Sequence, residues 1–143
     1  MKFIKSGFDN QTNRSWVIMQ HMGRAFEGEA RLHPDDIDKK SEIVGGRYAE
    51  TRATIAALKY EHKLAKQSCE ECRKFVRACE QYKNFDKESP TAKAMYRQLN
   101  RRIKKVNKIA SEINFLYMAM GKDIWKRDII LKSLEQKSKE VNQ

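Results

Sequence analysis

Apolar and small residues recur at alternating spacings of three and four along residues 48–79, which is the pattern of a helix packed against another helix. The positions on this spacing are Tyr48, Thr51, Ile55, Leu58, His62, Ala65, Cys69, Cys72, Val76 and Cys79. Gly45-Gly46 stands before the pattern, and Asn84 tolerates the left-handed conformation that ends many helices. The pattern predicts a helix from about 47 to 84.

A second series of the same spacing follows Ser89-Pro90, a pair that suits the first turn of a helix. Its positions are Ala92, Tyr96, Leu99, Ile103, Val106, Ala110, Ile113, Tyr117, Met120, Ile124, Leu131 and Leu134, interrupted at Arg127. The series predicts a helix from about 90 to 141. Gly121 lies inside it, and a kink there, or a break that makes residues 122–141 a third helix, remains open.

The connector between the two series, residues 83–88, is short, and short connections favour antiparallel neighbours. We therefore expect an all-α fold in which residues 47–143 form a long, coiled-coil-like antiparallel helical hairpin. Residues 1–46 are expected to form an N-terminal arm of short helices and loops. A hairpin with an arm buries little surface for its size, so oligomerisation is expected.

The N-terminal arm gives a weaker pattern. Residues 2–15 are mostly polar and are interpreted as irregular. One side of a short helix would account for Trp16, Val17, Met19, Met22 and Phe26, and a short strand accounts equally well for Trp16 to Met19. His33-Pro34-Asp35-Asp36 is a good helix opening, with proline and acids in the first turn, and predicts a short helix ending near Val44.

Composition narrows the class of protein. The chain has 143 residues, 30 Lys and Arg against 19 Asp and Glu, and a net charge of +11. Only 6 Gly and 2 Pro are present, which excludes collagen-like and Pro/Gly-rich chains. No apolar run approaches the roughly 18 residues of a membrane span, and the N-terminus lacks the apolar stretch of a signal peptide. We expect a cytoplasmic protein.

Candidate catalytic and metal-binding chemistry is sparse. Cys69 and Cys72 have the C-x-x-C spacing of zinc and redox motifs, but both fall on the predicted helix seam, where cysteine acts as a small apolar residue. Metal binding with His21 or His33 is the weaker alternative. Phosphate-binding loops and nucleophile motifs are absent. We therefore predict no enzyme activity, no catalytic residue, no metal and no cofactor.

A run of basic residues without any acid is the most distinctive feature of the sequence. It comprises Lys93, Arg97, Arg101, Arg102, Lys104, Lys105 and Lys108. Helical spacing aligns most of them along one face about 22 Å long. Such a face suits the phosphates of nucleic acid or an acidic protein surface, and the simplest alternative is a solvated face. Aromatic residues on the same face are few, so any nucleic-acid binding is expected to be to the backbone and without sequence preference.

The predicted second helix is longer than the first, and its overhang carries apolar residues that need cover. These are Ile124, Trp125, Ile129, Ile130 and Leu131, which we predict to be a protein-partner interface. An amphipathic helix on a membrane surface is the less favoured interpretation.

Two functional hypotheses follow from these patterns. The first is a non-enzymatic structural or assembly subunit of a larger complex, such as a virion or nucleoprotein assembly. It would dock through apolar helix surfaces, with its basic face toward a polyanion. The alternative is a sequence-nonspecific nucleic-acid-binding accessory protein that uses the basic run. Self-association or protein partners are expected in the first case.

Overall fold

The computed structural model describes the backbone of residues 1–31 and 39–141 and the side chains of residues 1–31 and 44–121. Three strands are followed by two helices: β1 (Lys2–Asp9), β2 (Arg14–His21), β3 (Arg24–Arg31), α1 (Lys39–Glu80) and α2 (Pro90–Val141). The chain divides into two compact units, Met1–Ile113 and Asn114–Gln143.

The strands form an antiparallel sheet in the order β1-β2-β3. β2 alternates strictly, with Ser15, Val17 and Met19 buried on one face. The turn from β2 to β3 has two residues, Met22 and Gly23, both with positive φ, as the right-handed twist of a tight hairpin requires.

Helix α1 covers the face of the sheet that carries these buried β2 side chains. The core of this contact consists of Val17, Met19, Ala30, Ala49 and Ala53, with Tyr48 packed against it. The residues of α1 and β3 at the contact are small, so the helix backbone lies very close to the sheet. His21 Nε2 lies 2.7 Å from Glu61 Oε2 and joins the end of β2 to the middle of α1.

The two helices lie side by side and run antiparallel within the first unit. The Tyr96 hydroxyl, near the start of α2, donates to Glu80 Oε1 at the end of α1 at 3.0 Å. Farther from the connector, Arg102 Nη1 donates to the carbonyl oxygen of Ser68, also at 3.0 Å. Ser89 caps α2, since its Oγ accepts from the Ala92 backbone N–H at 3.2 Å.

The expected all-α class is wrong, because the N-terminal arm contains a three-stranded sheet and the protein is mixed α and β. Residues 2–15, interpreted as irregular, include the whole of β1. Of the two interpretations of Trp16 to Met19, the strand is correct. Two physical features hid the sheet: β1 is an edge strand exposed along most of its length, and β3 buries only Gly28 and Ala30.

The helix limits also differ from the sequence-based ranges. The first helix runs from Lys39 to Glu80, not from about 47 to 84, because it continues through Gly45-Gly46. The second helix continues through Gly121 to Val141, so a separate third helix is wrong. The predicted short helix that opens at His33 lies largely outside the described residues.

Candidate functional site

The basic run of α2 occupies the side of the helix that faces away from α1. With about 3.6 residues per turn, Leu99, Ile103 and Val106 lie on one side of α2. The opposite side, here called the outer face, carries six cationic residues at mutually consistent spacing. They are Lys93, Arg97, Arg101, Lys104, Lys105 and Lys108, and all six are exposed.

Arg102 is the one member of the predicted site that the structure separates from the others. It lies beside the seam, is half-buried, and its guanidinium donates to the Ser68 carbonyl oxygen of α1. It therefore holds the two helices together and is directed away from the outer face. Counting about 100° per residue from Leu99 would have revealed this placement from the sequence alone.

The outer face carries almost no charge compensation. Lys93 lies 3.5 Å from the Glu88 carboxylate, an exposed pair. Within the part of the chain that the structure describes, Arg97, Arg101, Lys104, Lys105 and Lys108 have no ion pair. No acidic residue occurs between Lys93 and Lys108. Cations at i, i+3 and i, i+4 repel one another on a helix, so this face has an unsatisfied preference for an anion.

The second predicted site, Ile124, Trp125, Ile129, Ile130 and Leu131, lies on α2 beyond the residues whose side chains are described. The described residues just before it expose large apolar side chains. Phe115 is 67 % exposed, Tyr117 44 % and Met118 56 %. The described part of the second unit thus presents apolar surface. Of these three residues, the sequence spacing had placed only Tyr117 on the packed seam of the helix.

Two exposed features of the sheet were missed at the sequence level. One is the edge of β1, where Met1, Phe3 and Ile4 are about half exposed. The other is the face opposite α1, where the Trp16 ring lies directly over Gly7, and Lys5 Nζ is 5.8 Å from its centroid. A lysine and a tryptophan on different strands give no recognisable spacing, so only the register of the strands reveals this contact.

Titratable groups with altered proton affinity lie outside the basic face. The backbone N–H of Gln11 and the side chain of Thr12 hydrogen-bond to Asp9 and lower its pKa. Partial desolvation, with the hydrogen bond to Glu80, raises the pKa of Tyr96. Both groups stabilise local structure: Asp9 accepts a hydrogen bond in the turn after β1, and Tyr96 links the two helices.

The described residues were also compared with the requirements of a metal site and of a membrane span, and the sequence with known proteins. Among the described residues, no three His, Cys, Asp or Glu side chains lie together as metal ligands would. Cys69 and Cys72 are buried at the α1–α2 contact. The described helices include no stretch both long and apolar enough to cross a bilayer. No protein-family model, curated protein or solved structure matches the chain.

Proposed function

We propose that the protein is a non-enzymatic component of a cytoplasmic nucleoprotein assembly and that the outer face of α2 binds the phosphate backbone of nucleic acid without sequence preference. One observation carries this proposal: six exposed cations share one helix face, with an exposed Glu88 beside Lys93 as their only acidic partner in the described chain. The face is about 22 Å long, enough to contact several successive phosphates.

The chemistry of this face favours phosphate over base recognition. Arginine binds phosphate through a planar fork of donors and lysine as a compact charge, and the face carries both. No aromatic ring lies between Lys93 and Lys108 on this face, so bases have no platform to stack on. Binding of the backbone alone releases counterions, which makes the affinity strongly dependent on salt.

The decisive experiment compares duplex binding by the wild type and by the triple variant Arg101→Glu, Lys104→Glu and Lys108→Glu. Fluorescence anisotropy is measured with two duplexes of unrelated sequence across a salt series. For the wild type we expect equal affinity for both duplexes and a slope of log K against log salt of about −5, for six phosphate contacts. For the variant we expect the affinity to fall at least about a hundredfold and the slope to about half.

A matched control separates this face from net charge. Lys63→Glu, Lys74→Glu and Arg77→Glu change the net charge equally, and all three residues are exposed on α1, which also carries acids. This control variant should keep a salt slope near that of the wild type. Equal losses in the two triple variants, or no binding by the wild type at low salt, would disprove the proposal. Circular dichroism verifies that both variants remain helical.

Protein docking without nucleic acid is the second candidate function. It is favoured by the exposed Phe115, Tyr117 and Met118 in the second unit. Light scattering coupled to size exclusion at low and high salt distinguishes the two candidates. A defined oligomer that persists at high salt and carries no nucleic-acid absorbance would support docking alone. A species that loses co-purified nucleic acid at high salt would support the basic face.

A further inference from the structure

The sheet has two edges, and neither pairs with a further strand among the described residues. At the β3 edge, Arg52 of α1 donates from Nη1 to the Glu29 carbonyl oxygen at 2.6 Å, which occupies an acceptor that another strand would need. At the β1 edge, no described element pairs with the backbone. An uncovered edge strand is a template for pairing with another chain.

The apolar side chains of β1 lie at this same edge. Met1, Phe3 and Ile4 are 51 %, 52 % and 46 % exposed, because α1 covers β2 and β3 rather than β1. Large apolar side chains beside an unpaired strand edge provide burial as well as backbone hydrogen bonds to an added strand.

A β-bulge in β1 determines which of its side chains lie on the same face of the sheet. Phe3 is opposite Met19 and Phe8 is opposite Ser15, but the register shifts by one residue between Phe3 and Lys5. Residues opposite each other in antiparallel strands share a face, so Phe3 and Phe8 both lie on the face covered by α1. Without the bulge, their separation in sequence would place them on opposite faces.

We propose that β1 pairs antiparallel with β1 of a second copy of this chain, around a two-fold axis at Ser6, to form a continuous six-stranded sheet. In this register Lys2 lies opposite Asp9 of the second copy, and Phe3 lies opposite Phe8. Each pair occurs twice, because a two-fold interface repeats every contact. The two members of each pair lie on the same face of the sheet, as the bulge dictates.

Charge complementarity favours β1 of a second copy as the added strand, and it favours the antiparallel direction. The charged residues of β1 are Lys2, Lys5 and Asp9. Antiparallel pairing brings the two ends of opposite charge together, whereas parallel pairing would place Lys2 against its own copy. Lys5 does not obstruct the edge, because its ammonium lies near the Trp16 ring of β2. Lysine at an edge ordinarily discourages pairing, but in the proposed register Lys2 lies opposite the carboxylate of Asp9 in the second copy.

The test uses two charge reversals that are each unfavourable alone and compatible together. Lys2→Glu places a second carboxylate against Asp9 of the second copy, and Asp9→Lys places two lysines together. In sedimentation velocity from about 1 µM to about 1 mM, we expect wild-type dimers and at least about tenfold weaker self-association for each variant. A mixture of the two variants should dimerise more strongly than either variant alone, because a mixed dimer contains pairs of opposite charge.

One control variant and two contrary results complete the test. Lys63→Glu changes the net charge as Lys2→Glu does, lies on α1, and should leave dimerisation unchanged. Because Asp9 also accepts a hydrogen bond from the Gln11 N–H, thermal unfolding must show that Asp9→Lys is folded. A wild type that is monomeric throughout, or variants that associate no better mixed than alone, would overturn the proposal. Neither outcome bears on binding by the outer face of α2.

Discussion

At the scale of single residues, Gly28 sets the distance between the sheet and α1. A Cβ atom at this position would lie 2.0 Å from the Ala49 carbonyl oxygen and 2.3 Å from the Ala53 backbone nitrogen. Both are backbone atoms of a packed helix, so neither can move aside as the end of a flexible side chain does. The hydrogen atom of glycine is therefore required for α1 to lie this close to β3.

Gly28→Ala should lower the free energy of unfolding by about 3 kcal/mol or more, because α1 must move off the sheet and expose Val17 and Met19. Gly46→Ala is the matched substitution, since nothing lies within 4 Å of a Cβ there. That variant should be stabilised by up to about 1 kcal/mol through helix propensity. Urea unfolding measures both, and equal effects of the two substitutions would contradict the close approach.

At the scale of elements, α2 divides its residues between two opposite sides. One side contacts α1 and includes the buried Ala92 and Ile109, and the other is the outer face. Arg101 and Arg102 are neighbours in sequence, yet about 100° of helical rotation places them on different sides. Their substitution therefore gives opposite results for stability and for binding.

Arg102→Met should lower the free energy of unfolding by about 1 kcal/mol, since the hydrogen bond to the Ser68 carbonyl is lost. Its duplex affinity should remain close to that of the wild type. Arg101→Met should change stability by less than about 0.5 kcal/mol, because the side chain is exposed. Its duplex affinity should fall measurably. Identical behaviour of the two variants in urea unfolding and anisotropy would contradict this division of α2.

The elements also differ in how visible they are in the sequence. The helix seams are long and repeat at regular spacing, so residues such as Leu58, Val76 and Ile113 indicate them without any structure. The strands are less visible: Trp16 to Met19 fit a strand or a helix, and β3, which buries glycine and alanine, gives no apolar alternation. The β2–β3 turn has Met22 where asparagine is the usual signal.

At the scale of the whole molecule, a net charge of +11 acts against compactness. We expect the free energy of unfolding to rise with sodium chloride over the range in which duplex affinity falls, because salt screens repulsion within the protein as well as attraction to phosphate. Urea unfolding at low and high salt measures the first effect. A fall in stability with salt would indicate that attractive ion pairs, such as those of Arg14 with Glu27 and Glu29, outweigh the repulsion.

The candidate site was more accessible to sequence reasoning than the fold. An acid-free run at helical spacing needs only the helix to be correct, and six of its seven residues lie together on the outer face. The β1 edge could not be found in the same way. The pairing proposed for this edge depends on which strands are neighbours and on the position of the bulge in β1. It also depends on the hydrogen bond from Arg52 to the backbone of β3 at the other edge.

The separation of the two sides of α2 has a consequence for how such a protein can diverge. Lineages can add, remove or exchange cations at positions such as Arg97 and Lys108 while Ile103 and Val106 continue to hold the hairpin. The proposed affinity for phosphate can thus change in small steps without a change in the residues that hold the two helices together. In contrast, Gly28 faces backbone atoms of Ala49 and Ala53 that every amino acid carries, so no exchange at those two positions makes room for a larger residue at Gly28.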